Sequence, residues 1–203
     1  MKVIAIGRNY GEHARELNNP VPEKPVIFLK PDTAVSKNNR PFYIPDFSND
    51  VHYEVELVLK VSKEGKHIAP KFAGKYYEEI GLGIDFTARD LQAELKSKGL
   101  PWELAKGFDN SAPVSEFVPI SNFKDLNNIN FSLTINGEKK QQGNTKNMLF
   151  SFDEIISFVS QYITLKKGDL IFTGTPAGVG KVNIGDKLVG YIENNEFLNF
   201  EVK

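Results

Sequence analysis

Alternation of apolar and polar positions marks the strongest segments of the chain. From His52 to Leu59 the order His-Tyr-Glu-Val-Glu-Leu-Val-Leu puts Val55, Leu57 and Leu59 on one side of a strand and Glu54 and Glu56 on the other, because strand side chains repeat every two residues. Phe131 to Ile135 alternates likewise and runs into Asn136-Gly137, two residues whose tolerance of positive φ predicts a tight hairpin. Shorter apolar runs predict strands within residues 1–8, at 26–29 between Pro25 and Pro31, at 81–86, and near 170–172, 187–192 and 197–202.

Helical signals are fewer. Residues 11–18 suit a short helix on which His13 and Glu16, three apart, share a face. Thr87 is placed to cap a helix over 88–96, with Asp90 at capping-box spacing. Ser151 and Glu154 form a second capping box, for a helix through Tyr162 whose apolar face is Phe152, Ile155, Ile156 and Val159. Strands with a few interspersed helices predict an α+β, mainly β fold rather than a regular βαβ array. No repeat, low-complexity tract or linker divides the chain, so one domain over residues 1–203 is expected.

Composition narrows the function classes. With 25 basic and 26 acidic side chains the net charge is -1, which gives no basic field for nucleic acid. The chain has no cysteine, which excludes disulfides, thiolate nucleophiles and cysteine-ligated metal. Nowhere do about 18 apolar residues follow one another, and the amino terminus reads as a strand rather than a signal segment. A cytoplasmic protein with no membrane or nucleic-acid partner is the expectation.

Several residues carry candidate chemistry. Glu54 and Glu56, side by side on one strand face, would repel in a dry site unless a cation lay between them; a hard divalent metal would serve, and a solvated face with Glu56 paired to a lysine is the alternative. Asp85 ends an apolar run, either as an acceptor at the helix start or as a carboxylate presented at a sheet edge. His13 with Glu16 is either a catalytic or a surface pair. Lys106 follows Trp102, Leu104 and Ala105, an approach that buries its stem, while Arg8 and Gln92 are weaker pocket candidates. His67 is expected to be exposed.

The segment Thr173-Gly174-Thr175-Pro176-Ala177-Gly178-Val179-Gly180-Lys181 resembles a phosphate loop, but its spacing fails: Thr175 stands where the first glycine belongs and Val182 where a hydroxyl is needed. It reads instead as a turn, either purely structural or one whose hydroxyls and amides hold a small anion. No dinucleotide fingerprint, nucleophile elbow or His-Glu-x-x-His occurs.

Taken together, the landmarks resemble the fumarylacetoacetate hydrolase family, in its small acylpyruvate hydrolase and oxaloacetate decarboxylase branch. They are Gly7-Arg8-Asn9-Tyr10 with His13 and Glu16, Phe28-Leu29-Lys30-Pro31, His52 to Leu57, Asp85-Phe86-Thr87-Ala88-Arg89-Asp90, Lys106-Gly107-Phe108-Asp109 and Thr173 to Gly180, in family order along nearly the whole chain. The resemblance implies a mixed β-sandwich-like roll of the family's C-terminal-domain type, often a homodimer. It also implies Glu54, Glu56 and Asp85 as ligands for Mg²⁺ or Mn²⁺, and His13 and Glu16 as a water-activating pair on a mobile cap around residues 8–20. Lys106 is implied as a catalytic and substrate-binding group, with Thr175, Gln92 and Arg8 as further substrate contacts. Lys181 stands where many relatives place proline.

On this resemblance the favoured activity is metal-dependent hydrolysis of the carbon–carbon bond of an acylpyruvate, a 2,4-diketo acid, to pyruvate and a carboxylate. The alternatives are oxaloacetate decarboxylation and tautomerisation or isomerisation of a related 2-keto dicarboxylate, with the cap pair moving protons; a non-enzymatic keto-acid binding module is a further reading.

Overall fold

The computed structural model describes residues 1–16 and 20–203. The helix expected over 11–18 is found as Gly11–Glu16, and the rest of that expectation lies outside the described residues. Among them the largest sheet has six strands, in the order Val26–Lys30, Val3–Gly7, Leu170–Phe172, Val55–Val61, Tyr77–Ile84 and Val118–Pro119. All neighbours pair antiparallel except Val3–Gly7 with Leu170–Phe172, which run parallel.

A four-stranded antiparallel sheet, Glu138–Asn144, Asn130–Ile135, Lys187–Ile192 and Asn195–Glu201, packs against the first. Leu57, Leu82 and Ile84 from the large sheet share one buried cluster with Phe131, Leu133, Leu188 and Leu198 from the small one. Such interdigitation of inner faces is how a sandwich excludes water. At Gly190 a Cβ would come within 2.6 Å of Leu82 Cδ2, so glycine permits the close approach of the two sheets. The fold is mainly β with short helices, as the pattern predicts.

Local chemistry explains the elements that matter most. Asn136 and Gly137 have φ of +53° and +81°, which closes the predicted hairpin between Asn130–Ile135 and Glu138–Asn144. Ser151 caps Phe152–Tyr162 in a capping box with Glu154, and Phe152, Ile155, Ile156 and Val159 are buried. The helix expected after Thr87 runs over Arg89–Ser97, but its N-cap is Ala88 with no side-chain cap. Thr87 lies instead in the two-residue strand Thr87–Ala88 paired with Val51–Tyr53, where its Oγ1 donates to Asp85 O. Strand pairing withdraws the hydroxyl from the helix end.

The acidic strand is interrupted where the chemistry sits. Glu54 falls between Val51–Tyr53 and Val55–Val61. Beyond it, Val55, Leu57 and Leu59 enter the main core, while Val58, on the side of Glu54 and Glu56, joins a second cluster with Val3, Phe28, Leu170 and Phe172. Both faces are therefore covered, and the solvated-face alternative for the two glutamates does not apply.

Candidate active site

Three carboxylates converge below the Gly11–Glu16 helix. Glu54, Glu56 and Asp85 are each buried, with one oxygen of each within 4.8 Å of the others. Glu56 lies opposite Gly83 in the ladder between Val55–Val61 and Tyr77–Ile84, and Asp85 leaves the end of the second of these strands with its N–H donated to Glu54 O at 2.8 Å. Strand pairing thus fixes the spacing of the three groups.

Their surroundings differ. Glu54 Oε1 accepts from Arg89 Nη2 at 2.7 Å, and Oε2 from Lys106 Nζ at 2.8 Å. Burial opposes ionisation of Glu54, but the charges of Lys106 and Arg89 outweigh it and hold the carboxyl far below its ordinary range. Lys106 Nζ also donates to Asp85 Oδ2 at 2.6 Å. Although burial alone would lower its pKa, Asp85 and Glu54 raise it and keep the ammonium charged. Glu56 accepts Gly174 N–H at 2.7 Å; burial, with Asp85 and Glu54 beside it, pushes its carboxyl well above the usual value.

The donor set tests whether the residues suit a cation. Lys30 Nζ is ion-paired with Asp85 Oδ1 at 2.7 Å and also donates to Ser111 Oγ, Ser111 O and Phe86 O. Three buried carboxylates with oxygens within 4.8 Å of one another form the oxygen-rich set that suits a hard divalent ion.

The other sequence-predicted residues gather around this triad. Arg8, His13, Gln92, Lys106 and Thr175 line one cavity with Glu54, Glu56 and Asp85. His13 Nδ1 lies 3.3 Å from Glu16 Oε2, and the Glu16 carboxylate accepts from Gly178 N–H at 3.1 and 3.2 Å. Gln92 Oε1 accepts from Arg89 Nη1 at 2.8 Å, which leaves its NH₂ group to serve as a donor. His67 is exposed and takes no part. Lys181 is exposed and pairs with His52 in a short strand.

Sequence reasoning missed Lys30, Arg89, Lys96 and Trp102. Lys30 had a usable signal: it is two residues from buried Phe28, on the face opposite the exposed Leu29. Arg8 and Lys96 each lie 5.9 Å from the centroid of the Trp102 ring, and no spacing along the chain foretells that meeting. Arg8 is held at φ +60°, a sparsely populated conformation for a residue with a side chain.

Comparison with known proteins identifies the family. The family model for the fumarylacetoacetate (FAA) hydrolase C-terminal domain matches residues 2–203. The mitochondrial oxaloacetate tautomerase of Mus musculus is 43% identical over 201 residues, 99% of this chain and 91% of that protein. The mitochondrial oxaloacetate decarboxylase of Dictyostelium discoideum is 44% identical over 185 residues, 91% of this chain and 85% of that one. A crystal structure of fumarylpyruvate hydrolase from Pseudomonas aeruginosa, in complex with Mn²⁺ and pyruvate, superposes with a TM-score of 0.94 at 36% identity, covering 100% of this chain and 89% of that chain. A match that runs the length of the chain, in sequence and in fold, makes this protein a member of the fumarylacetoacetate hydrolase family.

Proposed function

We propose that the protein is a divalent-metal-dependent oxaloacetate tautomerase, interconverting the enol and keto forms of this four-carbon 2-keto dicarboxylate. The charge layout of the cavity carries the reading. Glu54, Glu56 and Asp85 stand in one part, and Arg8 and Lys96 flank Trp102 in the wall of the same cavity. A 2-keto acid offers its C1 carboxylate and C2 oxygen to a hard cation. Cations elsewhere on the wall suit a second carboxylate, which oxaloacetate and fumarylpyruvate have and acetylpyruvate lacks. Relatives named for oxaloacetate support the same substrate, in preference to the acylpyruvate hydrolysis that the sequence favours.

Glu54, Glu56 and Asp85 would hold Mg²⁺ or Mn²⁺, which when bound polarises the 2-keto oxygen. The protein's own groups move the proton. A carboxylate can only accept, so Glu16 keeps a proton on His13 Nδ1 and leaves Nε2 basic. Towards the enol, His13 takes a proton from C3, the electron pair forms the C2–C3 double bond, and negative charge collects on the C2 oxygen, which then receives the proton back from His13, directly or through water, so that the imidazole is regenerated. The Lys106 ammonium, held charged between Glu54 and Asp85, stabilises that charge. Ketonisation runs the same steps backwards.

The Gly11–Glu16 helix would serve as the cap over the site, tied to the turn over residues 173–180 where Glu16 accepts Gly178 N–H. Decarboxylation is the second reading: loss of the C4 carboxylate as carbon dioxide yields the enolate without base catalysis, and the Dictyostelium relative favours it.

Mg²⁺-loaded protein mixed with enol-enriched oxaloacetate tests the assignment, with enol absorbance followed and every product identified. The expected result is accelerated enol–keto exchange, reduced about 100-fold or more in His13→Gln with Mn²⁺ binding retained. Cleavage of acetylpyruvate or fumarylpyruvate faster than oxaloacetate exchange would restore the hydrolase reading, and stoichiometric carbon dioxide would favour the decarboxylase.

A further inference from the structure

Gln141 lies on the strand Glu138–Asn144, between exposed Lys140 and Gln142, yet is itself 1% exposed. Its amide joins two parts of the site. Oε1 accepts from Val55 N–H at 2.9 Å, the peptide N–H between the two glutamates. Nε2 donates to Pro176 O at 2.9 Å and to Thr175 Oγ1 at 2.8 Å. The amide cannot be reversed, because Val55 N–H can only donate and Pro176 O can only accept.

This fixes the direction of a hydroxyl. With one N–H committed to Pro176, the other must enter a lone pair of Thr175 Oγ1, and the Thr175 proton is turned away from Gln141. Thr175 is 3% exposed and lines the cavity with Glu54, Glu56, Asp85 and Lys106. We propose that Gln141 is a positioning residue that presets Thr175 as a hydrogen-bond donor into the cavity, so that this wall selects ligands bringing an acceptor oxygen, carboxylate or enolate, to it. The same amide clamps Val55, so donor and carboxylate triad keep their spacing together. The inference rests on the reading of the cavity as a keto-acid site.

Gln141→Glu is the diagnostic change. The carboxylate still accepts from Val55, but its second oxygen now takes the Thr175 proton and reverses the hydroxyl. The probe is oxalate, an acceptor-only dianion, titrated into Mn²⁺-loaded protein, with Mn²⁺ affinity measured separately. Gln141→Glu and Thr175→Val are each expected to weaken oxalate binding by about 10-fold or more while Mn²⁺ affinity shifts less than about twofold. Thr175→Ser, which keeps the proton, should bind nearly as the natural protein does. The double variant should be no weaker than either single one, since both remove the same donor.

Unchanged oxalate affinity in Gln141→Glu, additive losses in the double variant, or no oxalate binding by the natural protein would each overturn the proposal. If Gln141→Glu does not fold, Gln141→Met enters the same cycle, and additivity with Thr175→Val overturns the proposal equally. Absence of oxaloacetate exchange in the natural protein counts against the tautomerase alone, because the oxalate cycle is read without turnover.

Discussion

Glu56 Oε2 accepts the backbone N–H of Gly174 at 2.7 Å, across 118 residues of sequence. The contact is possible because Gly174 sits at φ +104°, where a Cβ would come within 2.6 Å of Asn9 Cβ. Asn9 is fully buried and cannot yield, since its Nδ2 donates to Phe150 O and Thr173 O and its Oδ1 accepts from Phe150 N–H. Gly174→Ala should therefore cost about 1–3 kcal/mol of stability and weaken Mn²⁺ binding as Glu56 loses its donor. Urea unfolding and Mn²⁺ titration check this; natural values in both would show that the turn adapts freely.

Glu56→Gln separates folding from metal binding. Without metal, Glu56 is pressed toward its neutral form by burial and by Asp85 and Glu54, so a neutral amide of the same shape should leave the metal-free protein as stable as before or more so. The rise in melting temperature on adding Mn²⁺, which reflects binding to the folded state alone, should largely vanish. Thermal melts with chelator and with excess Mn²⁺ give both numbers, and an undiminished Mn²⁺ effect would remove Glu56 from the ligand set.

Lys30 is fully buried against Asp85, and burial lowers its pKa even though Asp85 works to raise it. Lys30→Met keeps the volume but removes the ammonium facing Asp85 Oδ1 and leaves that carboxylate to Lys106, while the carbonyl of Ser111 keeps Phe86 N–H. Taking one cation from a buried ionic cluster costs up to about 3–5 kcal/mol, with part recovered when a divalent ion is added. Denaturant midpoints with and without Mn²⁺ measure this, and a loss below about 1 kcal/mol would show that Lys30 contributes little.

Asp90 ties the loop before the acidic strand to the helix that carries Arg89 and Gln92. Its carboxylate accepts from Ser48 Oγ at 2.7 Å, Asn49 N–H at 2.9 Å and Leu91 N–H at 2.8 Å. Slight burial opposes the charge, but these bonds prevail and lower the pKa. A lowered folded-state pKa means that the contribution is complete above the unfolded value of about 3.9 and fades as pH falls through the lower folded one. Melting temperature followed from neutral to acid pH should therefore fall less steeply at the acid end in Asp90→Asn than in the natural protein; parallel curves would deny the linkage.

What could be read from the sequence follows how local each determinant is. The capping box at Ser151 and the Asn136-Gly137 turn are settled within four residues, and both form as expected. The alternation that sets Glu54 and Glu56 apart is local too, while Asp85 joined them only through family resemblance. Thr87 misled because strand pairing to His52 claimed it. Gln141 had no signal: it sits among exposed polar residues, and its partner Val55 is 86 positions away. Arg89 and Trp102 were equally silent, since their roles come from where separate elements meet.

The parallel pairing of Val3–Gly7 with Leu170–Phe172 places the first strand of the chain beside one of the last, with Val55–Val61 next in line. During synthesis the strand bearing Glu56 emerges early, but its neighbour and the Gly174 turn follow more than half the chain later. By then Tyr77–Ile84, Asp85, Arg89 and Lys106, which gather around Glu54, have already been made. A nascent chain halted before Leu170 would carry all three carboxylates but lack the strand beside Val55–Val61 and the amide that Glu56 accepts.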